Sequence, residues 1–139
     1  MSLTKHTYNT VFIIDDNATS NLVQKHVLAR IAITETIRTF TNPVEGLDQL
    51  RTELLDPEKR ILVLLDIHMP EMNGFEFLDA CSCFTEKHEV LDILMVTSSI
   101  DDRELQLGTE YTLVKKVISK PLKGNQILEF ITQNHPVSA

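Results

Sequence analysis

Asp15 and Asp16 close the apolar run Val11–Ile14, Asp66 closes Ile61–Leu65, Thr97 closes Ile93–Val96, and Lys120 follows Val117-Ile118-Ser119. Three carboxylates held close together repel one another, and that cost drives one of them towards protonation unless a cation is present. A hard divalent cation removes the cost. Mg²⁺ takes oxygen ligands, keeps several waters, and is usually held by one or two carboxylates together with phosphate oxygens. Lys120 adds a point positive charge and Thr97 a hydroxyl donor. The set suits phosphoryl transfer, in which charge spreads over the equatorial oxygens and positioning does most of the work. The nucleophile would be a carboxylate, as in aspartyl-phosphate chemistry.

These residues can meet only if the runs that carry them lie in one sheet. Short continuous apolar runs suit strands buried on both faces, as in a parallel sheet. Ile33 to Phe40 mixes Ile and Phe with Thr, Glu and Arg, which suits an edge strand, and Val117–Ser119 supplies a short fifth strand. Helical periodicity fills the gaps. Val23, Val27 and Ile31 form an apolar stripe after Asn17, and Val44, Leu47, Leu50 and Leu54 form the expected buried face of a second helix that ends at Asp56-Pro57. Asn42 can cap that helix, with Pro43 at its first position and Glu45 completing a capping box. Phe77, Leu78, Cys81 and Phe84 follow Asn73-Gly74, and Ile127, Leu128 and Ile131 give the last stripe. Leu105 and Leu107 suggest a helix that Gly108 weakens. The fold class is therefore α/β, with βα repeated along the chain, a parallel sheet, helices on both faces and right-handed crossovers. In such open sheets ligands sit at the carboxyl ends of the strands, where the polar residues fall.

The bulk properties fit one domain over residues 1–139, with a core from about 10 to 134. Apolar residues make up 42% and the formal net charge is −7, so direct binding to nucleic acid or an anionic membrane is not expected, since both need a positive face. No run resembles a signal peptide or a membrane span. Cys81 and Cys83 are too closely spaced on a helix to pair and read as reduced thiols of a cytoplasmic protein. The histidines His6, His26, His88 and His135 show no ligand spacing, and the tail after Asn134 is short and polar, so no output domain is expected.

Asp15-Asp16 after a strand, the segment Leu65-Asp66-Ile67-His68-Met69-Pro70-Glu71-Met72-Asn73-Gly74, Val96-Thr97-Ser98 and Ser119-Lys120-Pro121-Leu122 together resemble the receiver domain of two-component response regulators. The resemblance runs from about Thr10 to Asn134 and implies a flavodoxin-like five-stranded sheet of order 2-1-3-4-5. It implies that Asp66 is the phosphoacceptor and attacks a phosphohistidine on a sensor histidine kinase or phosphotransfer protein docked near the first helix. It implies that Asp16 and Asp66 ligate Mg²⁺ through carboxylates, His68 through its backbone carbonyl, and Asp15 mainly through bound water. Thr97 and Lys120 would bind phosphoryl oxygens, Lys120-Pro121 would be cis, and Asn73-Gly74 would be the turn shaping the acceptor loop. A separate effector protein, or onward transfer in a relay, would read the switch.

The sequence departs from that family in having Val117 where an aromatic residue often stands three before the lysine, which leaves the usual aromatic switch in doubt. His68 stands two residues past the acceptor and Ser99 two past Thr97, places from which they could set the lifetime of the phosphoryl group. Two rivals differ in class. A phosphohydrolase of the haloacid-dehalogenase type would carry a second Asp two past the nucleophile, where this chain has His68, so an enzyme is not expected. A receiver-like module that signals without phosphate finds some room in Val117, but the complete acid set speaks against it.

Overall fold

The computed structural model describes residues 7–87, 89–98 and 101–135. His6, His88 and Ser99, with the lifetime role expected of Ser99, lie outside them. The elements alternate as β1 (Tyr8–Ile14), α1 (Ala18–Ile31), β2 (Thr34–Phe40), α2 (Pro43–Glu53), β3 (Ile61–Leu65), α3 (Gly74–Ala80), a 3-10 segment over Ser82–Lys87, β4 (Leu91–Thr97), α4 (Asp102–Thr109), β5 (Val114–Ser119) and α5 (Gly124–Asn134). The strands form one five-stranded parallel sheet of order β2-β1-β3-β4-β5, as the resemblance implied.

Side chains alternate across the strands, and the alternation separates two apolar cores. Phe12, Ile14, Val63, Leu65, Ile93 and Met95 face α2 and α3, joined by Leu47, Leu50, Phe77 and Leu78. Val11, Ile13, Leu62, Leu64, Leu94 and Val96 face the side covered by Leu28 of α1 and Ile127, Phe130 and Ile131 of α5. Every residue of β3 and β4 is buried, whereas β2, on the sheet edge, is half-exposed. That contrast is the one between the continuous apolar runs and the mixed run Ile33–Phe40.

The helix faces depart from the expected stripes in particular places. In α1 the buried residues are Asn21, Gln24 and Leu28, while Val23 is 48% exposed and Val27 and Ile31 sit at the margin. Val44 in α2 and Leu128 in α5 are exposed, and Gly46 and Phe130 take the inward positions. Gly46 is buried because α2 lies close over β1; a Cβ there would come 2.9 Å from Ile14 Cδ1. α2 ends at Glu53, ahead of Asp56-Pro57, and Asn42 caps Val44 N–H without help from Glu45. The reciprocal capping boxes occur instead at Asn73–Glu76 and Asp101–Glu104.

At the amino end of the sheet Asp92 is buried inside a network. Tyr8 Oη donates to its Oδ2 at 2.7 Å and Lys115 Nζ to its Oδ1 at 2.6 Å, while His135 Nε2 lies 2.6 Å from Oδ2. Arg60 Nη2 lies 2.6 Å from His135 Nδ1. Arginine only donates, so Nδ1 accepts and Nε2 carries the proton given to Asp92. The network ties the end of α5 to β1, β3 and β4.

Candidate functional site

The backbone ladder delivers the acidic residues to one edge. Asp15 N–H donates to Phe40 O at 3.1 Å and Asp66 N–H to Ile14 O at 3.0 Å, each continuing a strand pairing by one residue. Lys120 N–H donates to Thr97 O at 2.8 Å and does the same for β4 and β5. Asp15, Asp16 and Asp66 each present a carboxylate oxygen such that all three lie within 4.8 Å of one another. Asp15 and Asp66 are buried and Asp16 is exposed at the rim.

Asp15 is the most heavily bonded of the three. Its Oδ1 accepts from Asn17 N–H at 2.9 Å, and its Oδ2 accepts from Ser20 Oγ at 2.7 Å, Gln24 Nε2 at 3.4 Å and Lys120 Nζ at 2.6 Å. Lys120 Nζ also stands 3.8 Å from Asp66 Oδ2, so one ammonium bridges two buried acids. Burial and then the Asp15 charge push the Asp66 carboxyl above the ordinary carboxylate range, against the pull of Lys120 and of the His68 and Ile67 backbone N–H groups. The pocket is thus short of positive charge at Asp66.

Thr97 Oγ1 is buried and has no hydrogen-bond partner among the described residues. A buried hydroxyl left unpaired costs roughly 1–3 kcal/mol. Gly74 brings α3 against Asp66. A Cβ there would stand 2.7 Å from Asp66 O and 3.0 Å from Ile67 Cα, and its N–H donates to Ile67 O at 2.8 Å. Asn73-Gly74 is therefore a helix start pressed on the Asp66 backbone, with Asn73 capping Glu76 N–H, where the resemblance implied a turn. Lys120-Pro121 is cis.

The structure brings together Asp15, Asp16, Asp66 and Lys120. It turns the His68 imidazole away from them: Nε2 lies 3.1 Å from Glu104 Oε2 of α4. Val117 is half-buried under α4, where Gly108 packs so closely that a Cβ on it would stand 3.2 Å from Val117 Cγ2. Sequence reasoning missed Ser20, Asn21 and Gln24, which hold the Asp15 carboxylate and carbonyl. The available signal was polar residues at helical spacing just after Asp15-Asp16. It also missed Glu104, whose partner is distant in sequence.

The acid set fits a divalent cation. Its oxygens converge, burial and then the Asp15 charge hold one carboxyl above its ordinary range, and the ligand type is all oxygen.

Comparison with known proteins agrees with this geometry. The family model described as the response regulator receiver domain matches residues 11–132. The chain is 27% identical over 124 residues to the sensor histidine kinase CheAY of Helicobacter pylori, covering 89% of this chain and 15% of that protein. It is 35% identical over 75 residues to protein-glutamate methylesterase/protein-glutamine glutaminase 3 of Burkholderia thailandensis, covering 54% of this chain and 19% of that protein. The chain thus spans less than a fifth of the length of these two relatives. Among solved structures, a two-component response regulator from Cytophaga hutchinsonii superposes with a TM-score of 0.83 at 22% identity, covering 93% of this chain and 98% of that one. The chemotaxis protein CheY4 of Vibrio cholerae gives 0.71 at 21% identity, covering 91% and 98%. Among the described residues, no helix is long and apolar enough to cross a membrane.

Proposed function

The chain belongs to the response regulator receiver domain family, and on that premise we propose that it is a phosphorylation switch whose acceptor is Asp66. The observation that carries this reading is the convergence of Asp15, Asp16 and Asp66 within 4.8 Å beside Lys120 and the unpartnered Thr97 hydroxyl. An Asp66 carboxylate oxygen attacks the phosphorus of a phosphohistidine on a sensor histidine kinase or phosphotransfer protein. The new O–P bond forms as the N–P bond breaks, and the electron pair returns to the imidazole. Lys120 turns from Asp15 towards the transferred group, and Thr97 Oγ1 gains the acceptor it lacks. Mg²⁺ would offset the negative charge gathered there, held by Asp16 and Asp66 with the His68 carbonyl, and by Asp15 through water. The Asn17 N–H, Ser20 Oγ and Gln24 Nε2 still donate to the Asp15 carboxylate when Lys120 turns away, which suits the indirect role.

In this reading the protein acts in the cytoplasm as a receiver and not as an enzyme, and an effector protein reads its state. Coupling between such sites is typically about 1–3 kcal/mol, so the switch biases populations. The test is intact mass after incubation with Mg²⁺ and acetyl phosphate. The wild type is expected to gain one phosphoryl group and Asp66→Asn none. Equal gain in both would remove Asp66 as acceptor, and no gain in either would favour a receiver-like module that signals without phosphate.

A further inference from the structure

Asp15 is buried, and two kinds of donor meet on its Oδ2. One is the ammonium of Lys120, whose Nζ lies at 2.6 Å. The other comes from α1, where Ser20 and Gln24 stand four residues apart and so share a face. Ser20 Oγ donates to Oδ2 at 2.7 Å, and Gln24 Nε2 reaches the same oxygen at 3.4 Å. Gln24 Nε2 also donates to Ser20 Oγ at 3.1 Å, so amide and hydroxyl form a short relay that ends on the carboxylate. A carboxylate only accepts, which fixes the direction: the hydroxyl proton goes to Asp15, and a hydroxyl lone pair receives the amide. Gln24 is 4% exposed. A buried amide is costly on a helix face unless its bonds are made, and those of Gln24 lead to Asp15. Ser20, Gln24 and Lys120 line one cleft, together with Pro121 and Leu122.

We propose that Ser20 and Gln24 are positioning residues for Lys120, holding the Asp15 carboxylate so that the lysine is free to move to a phosphoryl group on Asp66. This rests on Asp66 being the acceptor. At rest the ammonium is 2.6 Å from Asp15 Oδ2 and 3.8 Å from Asp66 Oδ2, so it is bonded to the acid that does not react. Serving the phosphoryl oxygens means giving up that bond. A buried carboxylate that loses its cation with nothing in its place is strongly destabilised. The relay is already on the same oxygen when the lysine leaves. It also shares that oxygen with the lysine at rest, which weakens the hold of Asp15 on the ammonium. Both effects act through Lys120, and neither requires a change of protonation.

The test follows phosphorylation by acetyl phosphate, in saturating Mg²⁺, as intact mass against time. Ser20→Ala and Gln24→Ala should each lower the limiting rate by about tenfold, the scale of one hydrogen bond to a charged group. The Mg²⁺ concentration at half-maximal rate should stay within about twofold of the wild type. Ser20→Thr keeps the hydroxyl and should restore the rate. In a Lys120→Gln background Ser20→Ala should slow the reaction no further, because the lysine it acts through is gone. Urea unfolding in metal-free buffer gives a readout without turnover. There Ser20→Ala should raise the unfolding constant at least about fivefold more in Lys120→Gln than in the wild type, since Asp15 Oδ2 then depends on the relay. An unchanged rate in Ser20→Ala, equal slowing with and without Lys120, or additive losses of stability each overturns the inference and leaves the acceptor reading standing. A wild type that gains no phosphoryl group overturns both.

Discussion

Asp66 and Asp92 are buried at opposite ends of neighbouring strands, Asp66 just past the carboxyl end of β3 and Asp92 at the amino end of β4. Around Asp92, burial alone would raise the carboxyl, but hydrogen bonds from Lys115, Tyr8 and His135 outweigh it and hold the group below the ordinary carboxylate range. Around Asp66 burial acts the same way and Asp15 adds to it, while Lys120, shared with Asp15, compensates only in part. One end of the sheet has supplied its aspartate with every partner it needs. The other leaves its aspartate in want of positive charge. The difference is between a charge used to fix structure and one kept available for a ligand.

Among the charge substitutions the largest expected effect lies at the structural end. Asp92→Asn removes the carboxylate facing Lys115, Tyr8 and His135. Breaking a buried pair from one side costs about 3–5 kcal/mol. The Lys115 side chain keeps 23% of its exposure, so the lower end, about 3 kcal/mol and a Tm fall on the order of 10 °C, is expected. Because the folded carboxyl lies below its unfolded value of about 3.9, the contribution is present above that value and lost as pH falls through the lowered one. The deficit seen by thermal denaturation at pH 7 should therefore shrink below about pH 4. A deficit unchanged at pH 3 would mean that packing, and not charge, is what Asp92 provides.

Next in size is Lys120→Gln. Without metal it leaves Asp15 and Asp66 facing one another with only neutral and backbone donors, at a cost of about 2 kcal/mol, reduced from the buried-pair figure because the lysine is partly solvated. Mg²⁺ should raise the Tm of this variant more than that of the wild type, since binding to the folded state alone stabilises it by mass action. Asp92→Asn should gain from Mg²⁺ only what the wild type gains. If Mg²⁺ stabilises both variants equally, the two ends do not differ in their appetite for cations.

Asp66→Asn should have a smaller effect of opposite sign. A carboxyl whose folded value is raised binds its proton more tightly in the folded state, so stability falls as pH rises from the ordinary carboxylate value through the raised one. Removing the charge should stabilise the protein at pH 7 by about 1 kcal/mol, and the gain should fade towards pH 3. Mg²⁺ should stabilise the variant less than the wild type. A destabilised Asp66→Asn in metal-free buffer would break the contrast with Asp92.

The sheet and most of the acid pocket were legible because both rest on local runs. Continuous apolar strands announce burial on two faces, and polar residues at the ends of the runs, acids at two of them, announce the edge where ligands collect. The Asp92 network was not legible, because its members come from β1, β4, β5, the residue before β3 and the residue after α5, and nothing local relates them. Asp92 stood as one polar residue inside the apolar run Leu91–Thr97, and His135 as one histidine among several. The His68–Glu104 pair was hidden for the same reason.

The first helix shows a subtler failure. Its apolar stripe, Val23, Val27 and Ile31, pointed to one face, yet Asn21 and Gln24 lie inward. Asn21 Nδ2 donates to Asp15 O at 2.9 Å and Gln24 reaches the Asp15 carboxylate. The acid pocket requires donors on the face of α1 that a purely structural helix would fill with leucine, and sites of function are where local pattern and fold are expected to disagree. The smallest effect follows from this. Val23→Ser removes an apolar group that is already half in solvent and so should change stability by less than about 0.5 kcal/mol, whereas Leu28→Ala in the same helix should cost about 2–5 kcal/mol. Urea denaturation of the two variants decides it. A loss above about 1 kcal/mol for Val23→Ser would mean that the stripe is buried after all, and that the polar face of α1 does not serve Asp15.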